Sequence, residues 1–289
     1  MAGSIAVTGA TGVVGGHIAR LLAGRGLGIR LVVRDPARAP ALGRADVRVA
    51  SSYGAGEEMR AALEGVDTLM LIPAEESADR VTQHRTAVDA AVAAGVRRIV
   101  YLSVVRAAPD ATFTLARDHW ATERHVREAG VAWTFPRMSL YLDFMPMLAG
   151  ADGIIRGPAG DGRCGIVSRA DVAAVCAAVL TGDGHDGMTY DVTGREAPTL
   201  AEMAATLAAA SGKPIAFHDE TPAEARASRA AFGAPDWQVD AWISTYTAIA
   251  AGEFDVVADT VERLTGRAPQ TLAEYVRAHP EALAHVAVD

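Results

Sequence analysis

Short apolar runs alternate with stretches of helical hydrophobic period through the first half of the chain. The apolar runs cover residues 5–7, 30–33, 68–72, 98–102 and 132–135. Segments with a helical period lie around residues 14–24, 57–63, 80–94 and 117–129. Strands that alternate with helices form parallel sheets with right-handed crossovers, and near-continuous Val, Ile and Leu runs are typical of strands covered on both faces. The pattern therefore predicts an α/β fold with a doubly wound parallel sheet.

Three glycines follow the first apolar run and open the first helical segment. A backbone that turns tightly, approaches a pyrophosphate and packs its helix on the sheet needs residues without a Cβ atom here. The spacing is Gly-x-x-Gly-x-x-Gly, and a glycine triplet alone also fits an ordinary strand-to-helix turn. Because it follows the first strand, we interpret it as the phosphate-binding turn of a Rossmann-like fold. The expected cofactor contacts are Gly9, Thr11, Gly12, Val13, Val14 and Gly15.

The end of the second apolar run carries arginine where an NAD enzyme places an acid for the ribose 2′-hydroxyl. Arg34 and Arg38 are a turn apart, and guanidinium groups bind phosphate in a bidentate manner. Both could instead be solvent arginines, and Asp35 is able to accept from a ribose hydroxyl. We predict NADPH as the cofactor, with NADH as the alternative. Ile72, at the end of the third run, is a further expected cofactor contact.

The chain changes character after residue 150. Residues 151–162 are rich in Gly, Pro and Asp, which favours turns, and a helix around 169–180 and a strand over 188–192 follow. The rest is mostly helical, with one further strand expected over 214–217. We predict an NADP-binding domain of residues 1–150 with 163–195, and a smaller helix-rich substrate lobe of residues 196–289 with 151–162.

Charge and cysteine usage argue against several function classes. The formal net charge is −8 and no basic stripe is present, which argues against nucleic-acid binding. Cys164 and Cys176 lie 12 residues apart without a metal-ligand spacing, so we expect neither a metal site nor a disulfide. No apolar run approaches 18 residues and no leader-like basic segment opens the chain, so we expect a cytoplasmic protein that does not enter a membrane.

Motifs spread over residues 4–215 resemble one known family. They are TGATG at 8–12, VRDP at 33–36, YLS at 101–103, DHWATE at 118–123, GVAWT at 130–134, PAGDG at 158–162, RADVA at 169–173 and YDVTG at 190–194. The chain resembles the NmrA-like group of atypical short-chain dehydrogenases/reductases, and within it the bacterial NAD(P)H:quinone oxidoreductases of type 2. The resemblance implies a Rossmann fold, a reduced nicotinamide as hydride donor and a pocket at the carboxyl edge of the sheet.

The catalytic pair of the wider superfamily is absent from this sequence. Members of that superfamily use a Ser with a Tyr-x-x-x-Lys motif, in which the phenol donates a proton. Leu115 and His119 stand in the corresponding positions, and the one lysine of the chain, Lys213, lies far along it. Hydride addition to a ketone gives an alkoxide, whose conjugate acid has a pKa of about 16. Hydride addition to a quinone gives a phenolate-like oxyanion, whose conjugate acid has a pKa of about 10. This difference in pKa makes reduction of a quinone less dependent on a proton donor than reduction of a ketone, by about 8 kcal/mol.

Three residues are candidates for catalysis. Ser103 could hydrogen-bond a substrate oxygen or only satisfy backbone groups, and it is also an expected cofactor contact. Tyr141 could line the pocket or only pack. His119 could hold the nicotinamide ribose, relay a proton, or be structural.

We predict an NADPH-dependent reductase that transfers hydride to a quinone or a hydroxyaryl ketone, with the ketoreduction of an aromatic polyketide as one form. The alternative is a regulatory protein that senses NADP(H) without catalysis, because one fold can support both roles. The expected partner is a small aromatic carbonyl or quinone, and the oligomeric state is left open.

Overall fold

The computed structural model describes residues 4–287, and the chain divides into two compact units. The first contains the chain up to Val104 with residues 118–137 and 170–190, and the second contains residues 105–117, 138–169 and the chain from Asp191 onward. Residues 105–117, 138–150, 163–169 and 191–195, all expected in the cofactor domain, fall in the second unit. Hydrogen bonds attach residues 105–117 to the second unit, because the backbone N–H groups of Thr112 and Phe113 donate to the carboxylate of Glu253.

Within residues 4–287 the chain forms twelve strands and ten α-helices. The strands are β1 Ile5–Thr8, β2 Ile29–Val33, β3 Asp46–Val49, β4 Thr68–Leu71, β5 Arg98–Tyr101, β6 Ser103–Val104, β7 Ala132–Met138, β8 Leu140–Tyr141, β9 Ile154–Gly157, β10 Ile166–Val167, β11 Met188–Val192 and β12 Ala216–Asp219. The helices are α1 Val13–Gly24, α2 Gly56–Leu63, α3 Arg80–Ala93, α4 Thr114–Glu128, α5 Arg169–Thr181, α6 Leu200–Ser211, α7 Pro222–Arg229, α8 Asp236–Ala250, α9 Thr260–Thr265 and α10 Leu272–Ala278. None of these helices has the length and apolar character that a membrane crossing requires.

The main sheet confirms the predicted fold class. Its strand order is β11-β7-β5-β4-β1-β2-β3, with β6 also paired to β7. The pairs from β3 through β7 are all parallel. Strand β1 is buried over its whole length, as expected for a strand covered on both faces. The crossing from β1 to β4 makes β1 the switch point of a doubly wound sheet, whose ligands bind at the carboxyl ends of the strands.

Five of the described strands were not predicted from the sequence, and a sixth is shifted: β6, β8 and β10 are only two residues long, whereas β3, β9 and β12 differ for other reasons. Strand β3 was not predicted, because this edge strand is half to fully exposed and carries charged residues. Strand β9 lies inside the segment expected to form only turns, and it pairs in parallel with β12. Strand β12 begins two residues later than the predicted strand. Pairing between distant segments stabilises β9 and β12, and such pairing leaves little trace in local hydrophobic period.

Helices of the second unit begin with a repeated capping motif. Helices α6, α7 and α10 each follow a threonine whose hydroxyl accepts from the backbone N–H three residues later, while a glutamate at that third position accepts from the threonine N–H. The three pairs are Thr199 with Glu202, Thr221 with Glu224 and Thr271 with Glu274. Each capping box satisfies two backbone donors that the helix leaves unpaired.

The only lysine of the chain holds the C-terminal segment of the second unit. Lys213 follows the end of α6, and its ammonium group donates to the carbonyls of Leu283 and Val286 at 2.7 and 2.6 Å. These carbonyls belong to the last turn of the described chain, where Leu283 ends a short 3₁₀ segment. The lysine therefore has a structural role in this fold.

We expect Lys213→Met to lower the free energy of unfolding by about 1–3 kcal/mol, because it removes two hydrogen bonds from a charged donor while keeping the apolar stem. Urea denaturation followed by circular dichroism measures the change. Lys213→Arg, which retains a charged donor, serves as the control and should lose less. An unchanged midpoint for Lys213→Met would contradict the structural role.

Candidate functional site

The glycine turn connects the end of β1 to the start of α1. Gly9 has a positive φ of 62°, and its carbonyl accepts from the N–H of Gly12 at 3.0 Å. Gly12 is the N-cap of α1 and has no side chain with which to cap it. The first N–H groups of an α-helix have no partner within the helix, so they are available to an anion at this end. Thr11 is half-buried and Val13 is exposed at the same end.

Gly15 allows α1 to lie directly against the end of β1. A Cβ atom on Gly15 would lie 2.4 Å from the carbonyl oxygen of Gly9, which is closer than atoms can approach. A Cβ atom on Gly12 would meet only that same oxygen, at 3.3 Å. Gly15 therefore serves helix packing, whereas Gly12 leaves open space at the helix N-terminus. Together they leave a cradle of backbone at the helix N-terminus, the kind of place where dinucleotide-binding folds receive a pyrophosphate.

A set of hydrogen bonds holds the end of β4 beside the glycine turn. The N–H of Ile72 donates to the hydroxyl of Thr8 at 2.9 Å, and the carbonyl of Ile72 accepts from the hydroxyl of Tyr53 at 2.7 Å. The side chain of Ile72 lies 3.1 Å from where a Cβ atom on Gly9 would stand. The structure thus brings Ile72 together with the glycine turn. Burial raises the pKa of Tyr53, which keeps its phenol protonated.

Arg34 follows β2 and forms an ion pair with Glu75, which follows β4. Their side-chain N and O atoms lie 2.8 Å apart, with 61% of the Arg34 side chain and 80% of the Glu75 side chain exposed. Asp35 accepts from the N–H of Ala37 and caps the 3₁₀ turn Pro36–Arg38. Arg38 is exposed at the end of that turn. The expected 2′-phosphate residues are thus both at the surface, and Arg34 is engaged with an acid that the sequence analysis did not identify.

Ser103 lies in a buried charged cluster. Its hydroxyl donates to Glu123 at 2.6 Å, and Glu123 also accepts from Arg137 at 2.7 and 2.8 Å and from Arg127 at 3.1 Å. Glu123 and Ser103 are fully buried. A buried carboxylate requires such partners, because an unpaired charge in the protein interior is strongly unfavourable. The proton of Ser103 is therefore committed to Glu123 in this arrangement.

His119 is buried between Tyr101 and Arg80. Its Nε2 lies 3.4 Å from a guanidinium nitrogen of Arg80, and its Nδ1 lies 2.9 Å from the hydroxyl of Tyr101. A guanidinium group only donates, so Nε2 must accept and the ring proton must sit on Nδ1. Burial first, and then the charge of Arg80, hold the pKa of His119 well below its usual range. The ring is therefore neutral at physiological pH.

A second neutral histidine joins the same network. His84 accepts from the N–H of Ala74 through Nε2 and donates from Nδ1 to the hydroxyl of Thr122, both at 2.9 Å. The Thr122 hydroxyl itself donates to a backbone carbonyl, which identifies it as the acceptor of the histidine proton. Burial, with the charge of Arg80, lowers the pKa of His84 to about 3. Arg80 also donates to the carbonyl of Ala74, so the segment after β4 is held by two buried side chains.

Tyr141 belongs to the second unit, whereas Ser103 and His119 belong to the first. It is half-buried, and the guanidinium of Arg169 lies 4.9 Å above its ring. The sequence analysis missed Tyr53, Glu75, Arg80 and the partners of Glu123. No local pattern distinguishes Arg80 from the exposed charged residues of the same helix, and the loop position of Glu75 offered no signal either.

Comparisons with known proteins give a consistent result. Residues 9–183 match the family described as NAD(P)H-binding. The chain is 34% identical over 278 residues to quinone oxidoreductase 2 of Escherichia coli, covering 94% of this chain and 97% of that protein. It is 36% identical over 288 residues to a (4-alkanoyl-5-oxo-2,5-dihydrofuran-3-yl)methyl phosphate reductase of Streptomyces griseus, covering 97% and 99%. The crystal structure of an NADPH-dependent quinone oxidoreductase from Escherichia coli in complex with NADPH superposes with a TM-score of 0.87 at 34% identity, covering 95% and 99%.

We expect Gly12→Val to weaken NADPH binding at least about tenfold while the protein stays folded, because the branched side chain would stand in the open cradle. Gly15→Val should instead lower the melting temperature, because its Cβ atom would overlap the Gly9 carbonyl. Fluorescence titration and thermal denaturation measure the two effects. A folded Gly12→Val variant that binds NADPH normally would remove the turn from the site.

His84 should make the protein less stable as the pH falls below about 6.5. The unfolded chain binds a proton on this histidine below that pH, whereas the folded chain stays unprotonated until about pH 3, so stability rises with pH between the two values. From pH 7 to 5.5 this contribution amounts to about 1 kcal/mol. We expect His84→Gln, whose amide retains an acceptor for Ala74, to lose correspondingly less stability over this interval. Urea denaturation at both pH values tests this, and equal losses would contradict it.

Proposed function

Since this chain belongs to the NAD(P)H-binding, NmrA-like family and is an oxidoreductase, we propose that it uses NADPH to reduce quinones and hydroxyaryl ketones. The proposal specifies both the cofactor and the class of acceptor. The cofactor is supported by the glycine cradle and by arginines at the end of β2. The class of acceptor is supported by the chemistry of the residues that stand where the superfamily has its proton donor.

The observation that carries the proposal is the lack of a suitable acid at that position. Leu115 has no proton to give, and the ring of His119 is neutral, with its proton directed to Tyr101 and its lone pair directed to Arg80. Burial raises the pKa of the Tyr101 phenol, which makes it a weaker acid. A substrate that becomes a phenolate on reduction avoids the need for this acid, an advantage of about 8 kcal/mol over a plain ketone.

Ser103 and Tyr141 are secondary candidates within this proposal. Ser103 would have to release Glu123 before donating to a substrate oxygen, and that exchange would leave a buried carboxylate without one of its donors. Tyr141 stays a predicted contact of the aromatic acceptor. Of the roles left open for His119 by the sequence, a ribose contact, a proton relay or a structural one, we favour that of a positioning residue that holds Arg80 and Tyr101 in place.

The residues proposed to hold NADPH lie along one edge of the first unit. The backbone from Gly9 through Gly15, with Thr11, Val13 and Val14, would receive the pyrophosphate. Ile72 would contact the cofactor beside the turn, and Arg34 with Arg38 would receive the 2′-phosphate. Bound NADPH supplies the hydride that the acceptor takes up. The similarity to quinone oxidoreductase 2 of Escherichia coli supports the choice of acceptor, and the crystal structure of an Escherichia coli quinone oxidoreductase with NADPH supports the choice of cofactor.

A matched panel of acceptors tests the proposal by NADPH oxidation. We expect a quinone and an ortho-hydroxyaryl ketone to be reduced, and the methyl ether of the same ketone to react at least about a hundredfold more slowly, because it has lost its own acid. An aliphatic ketone should be reduced slowest of all. Ser103→Ala, His119→Ala and Tyr141→Phe should each cost less than the factor of about 10²–10⁴ typical of a dedicated general acid.

Two results would contradict the proposal. One is a single substitution among these three that abolishes turnover while NADPH still binds, since that residue would then be the acid. The other is tight NADPH binding without reduction of any acceptor, which would favour the sensing role.

A further inference from the structure

The ion pair between Arg34 and Glu75 spans the carboxyl end of β1. Strand β1 lies between β2 and β4 in the sheet. Arg34 directly follows β2 and Glu75 follows β4 by four residues, so their contact passes over the strand end from which the glycine turn starts. In sheets of this type the adenosine ribose of a dinucleotide lies at this crevice, with its 2′ position toward the end of the second strand.

The segment that carries Glu75 is anchored from within the first unit. The preceding residue, Ala74, donates its N–H to the buried ring of His84 at 2.9 Å, and its carbonyl accepts from the buried side chain of Arg80 at 3.0 Å. Two buried side chains therefore fix the backbone immediately before Glu75. Glu75 is thus presented to Arg34 from a defined position, although its side chain is exposed.

A carboxylate at this position has opposite effects on the two nicotinamide cofactors. A 2′-phosphate and the carboxylate of Glu75 compete for the same guanidinium of Arg34, and their like charges repel. A ribose 2′-hydroxyl, in contrast, can donate to a carboxylate, which is the role that an acid has in NAD-dependent enzymes. Glu75 should therefore oppose binding of a 2′-phosphate and tolerate or favour a free 2′-hydroxyl.

We infer that Glu75 is a specificity-determining residue that competes with the 2′-phosphate for Arg34 and reduces the preference of this enzyme for NADPH over NADH. The inference rests on the proposed function, because it assumes that the 2′ position of the cofactor lies at Arg34. It assigns to the loop after β4 a role that the end of β2 has in other dinucleotide-binding proteins, where the selecting acid follows the second strand.

Glu75→Gln tests the inference directly, with Glu76→Gln as the matched control that removes the same charge from the next, also exposed, residue. Dissociation constants for NADPH and NADH are measured by fluorescence titration at low ionic strength, because screening weakens exposed ion pairs. Adenosine 2′,5′-bisphosphate and adenosine 5′-monophosphate, which differ only in the 2′-phosphate, are titrated by calorimetry as fragment probes. These measurements report binding and do not depend on the acceptor.

We expect Glu75→Gln to tighten the binding of NADPH and of the bisphosphate by about threefold to fivefold, the upper part of the range for an exposed ion pair. Binding of NADH and of the monophosphate should stay unchanged or become weaker. Glu76→Gln should change the ratio of the NADH dissociation constant to the NADPH dissociation constant by less than half of the change that Glu75→Gln causes. In an Arg34→Ala background, the gain from Glu75→Gln on NADPH should fall by at least half, because the competition for Arg34 has been removed.

The possible failures are distinguishable. If the unmodified protein binds neither cofactor, or if Arg34→Ala leaves the NADPH constant unchanged, the proposed function or its placement of the 2′-phosphate is wrong. If both cofactors bind and Glu75→Gln leaves their ratio unchanged, or shifts it no more than Glu76→Gln does, only the role of Glu75 is wrong. An undiminished gain in the Arg34→Ala background would also overturn the claim that Glu75 acts through Arg34.

Discussion

Helix α1 can approach the end of β1 only because Gly15 leaves room for the carbonyl of Gly9, which would lie 2.4 Å from a Cβ atom. This contact directs the N-terminus of α1 along the edge of the sheet, so that its unpaired N–H groups lie at the switch point of the strand order. Ile72 is brought to the same point because its N–H donates to Thr8, the last residue of β1. The cradle therefore follows from close backbone packing and needs no charged side chain.

A buried polar network behind this edge has the opposite character, because it depends on hydrogen bonds from side chains. Arg80 contacts the ring of His119 and the backbone of Ala74, and His84 bridges that same backbone to Thr122. Such hydrogen bonds are required where unpaired polar groups are costly, and burial together with the charge of Arg80 keeps both histidines neutral. Where the wider superfamily has a charged lysine beside a phenol, this chain thus has a neutral histidine in a network that resists protonation.

The exposed and buried charges of the first unit serve different ends. Glu123 is buried and accepts from three side chains, so its charge is fixed and contributes to the integrity of the fold. Arg34 and Glu75 are exposed, so their attraction is weak and can be exchanged for that of a ligand. An exposed ion pair can therefore be replaced by an ion pair with a ligand, because breaking an exposed pair costs little free energy. The same exchange at Glu123 would leave a charge stranded in the core.

The fold class, the position of the glycine turn and the absence of the usual Tyr and Lys could be predicted from the sequence, because each of these depends on a local pattern. Apolar runs of strand length, glycines at fixed spacing, and Leu115 and His119 in the Tyr and Lys positions are all readable along the chain. Strand β3, the pairing of β9 with β12 and the assignment of residues 105–117 to the second unit were decided by contacts between distant segments. Only the tertiary structure could decide that His119 is neutral and that Glu75 faces Arg34. Burial and the identity of a partner 41 residues away have no local signature in the sequence.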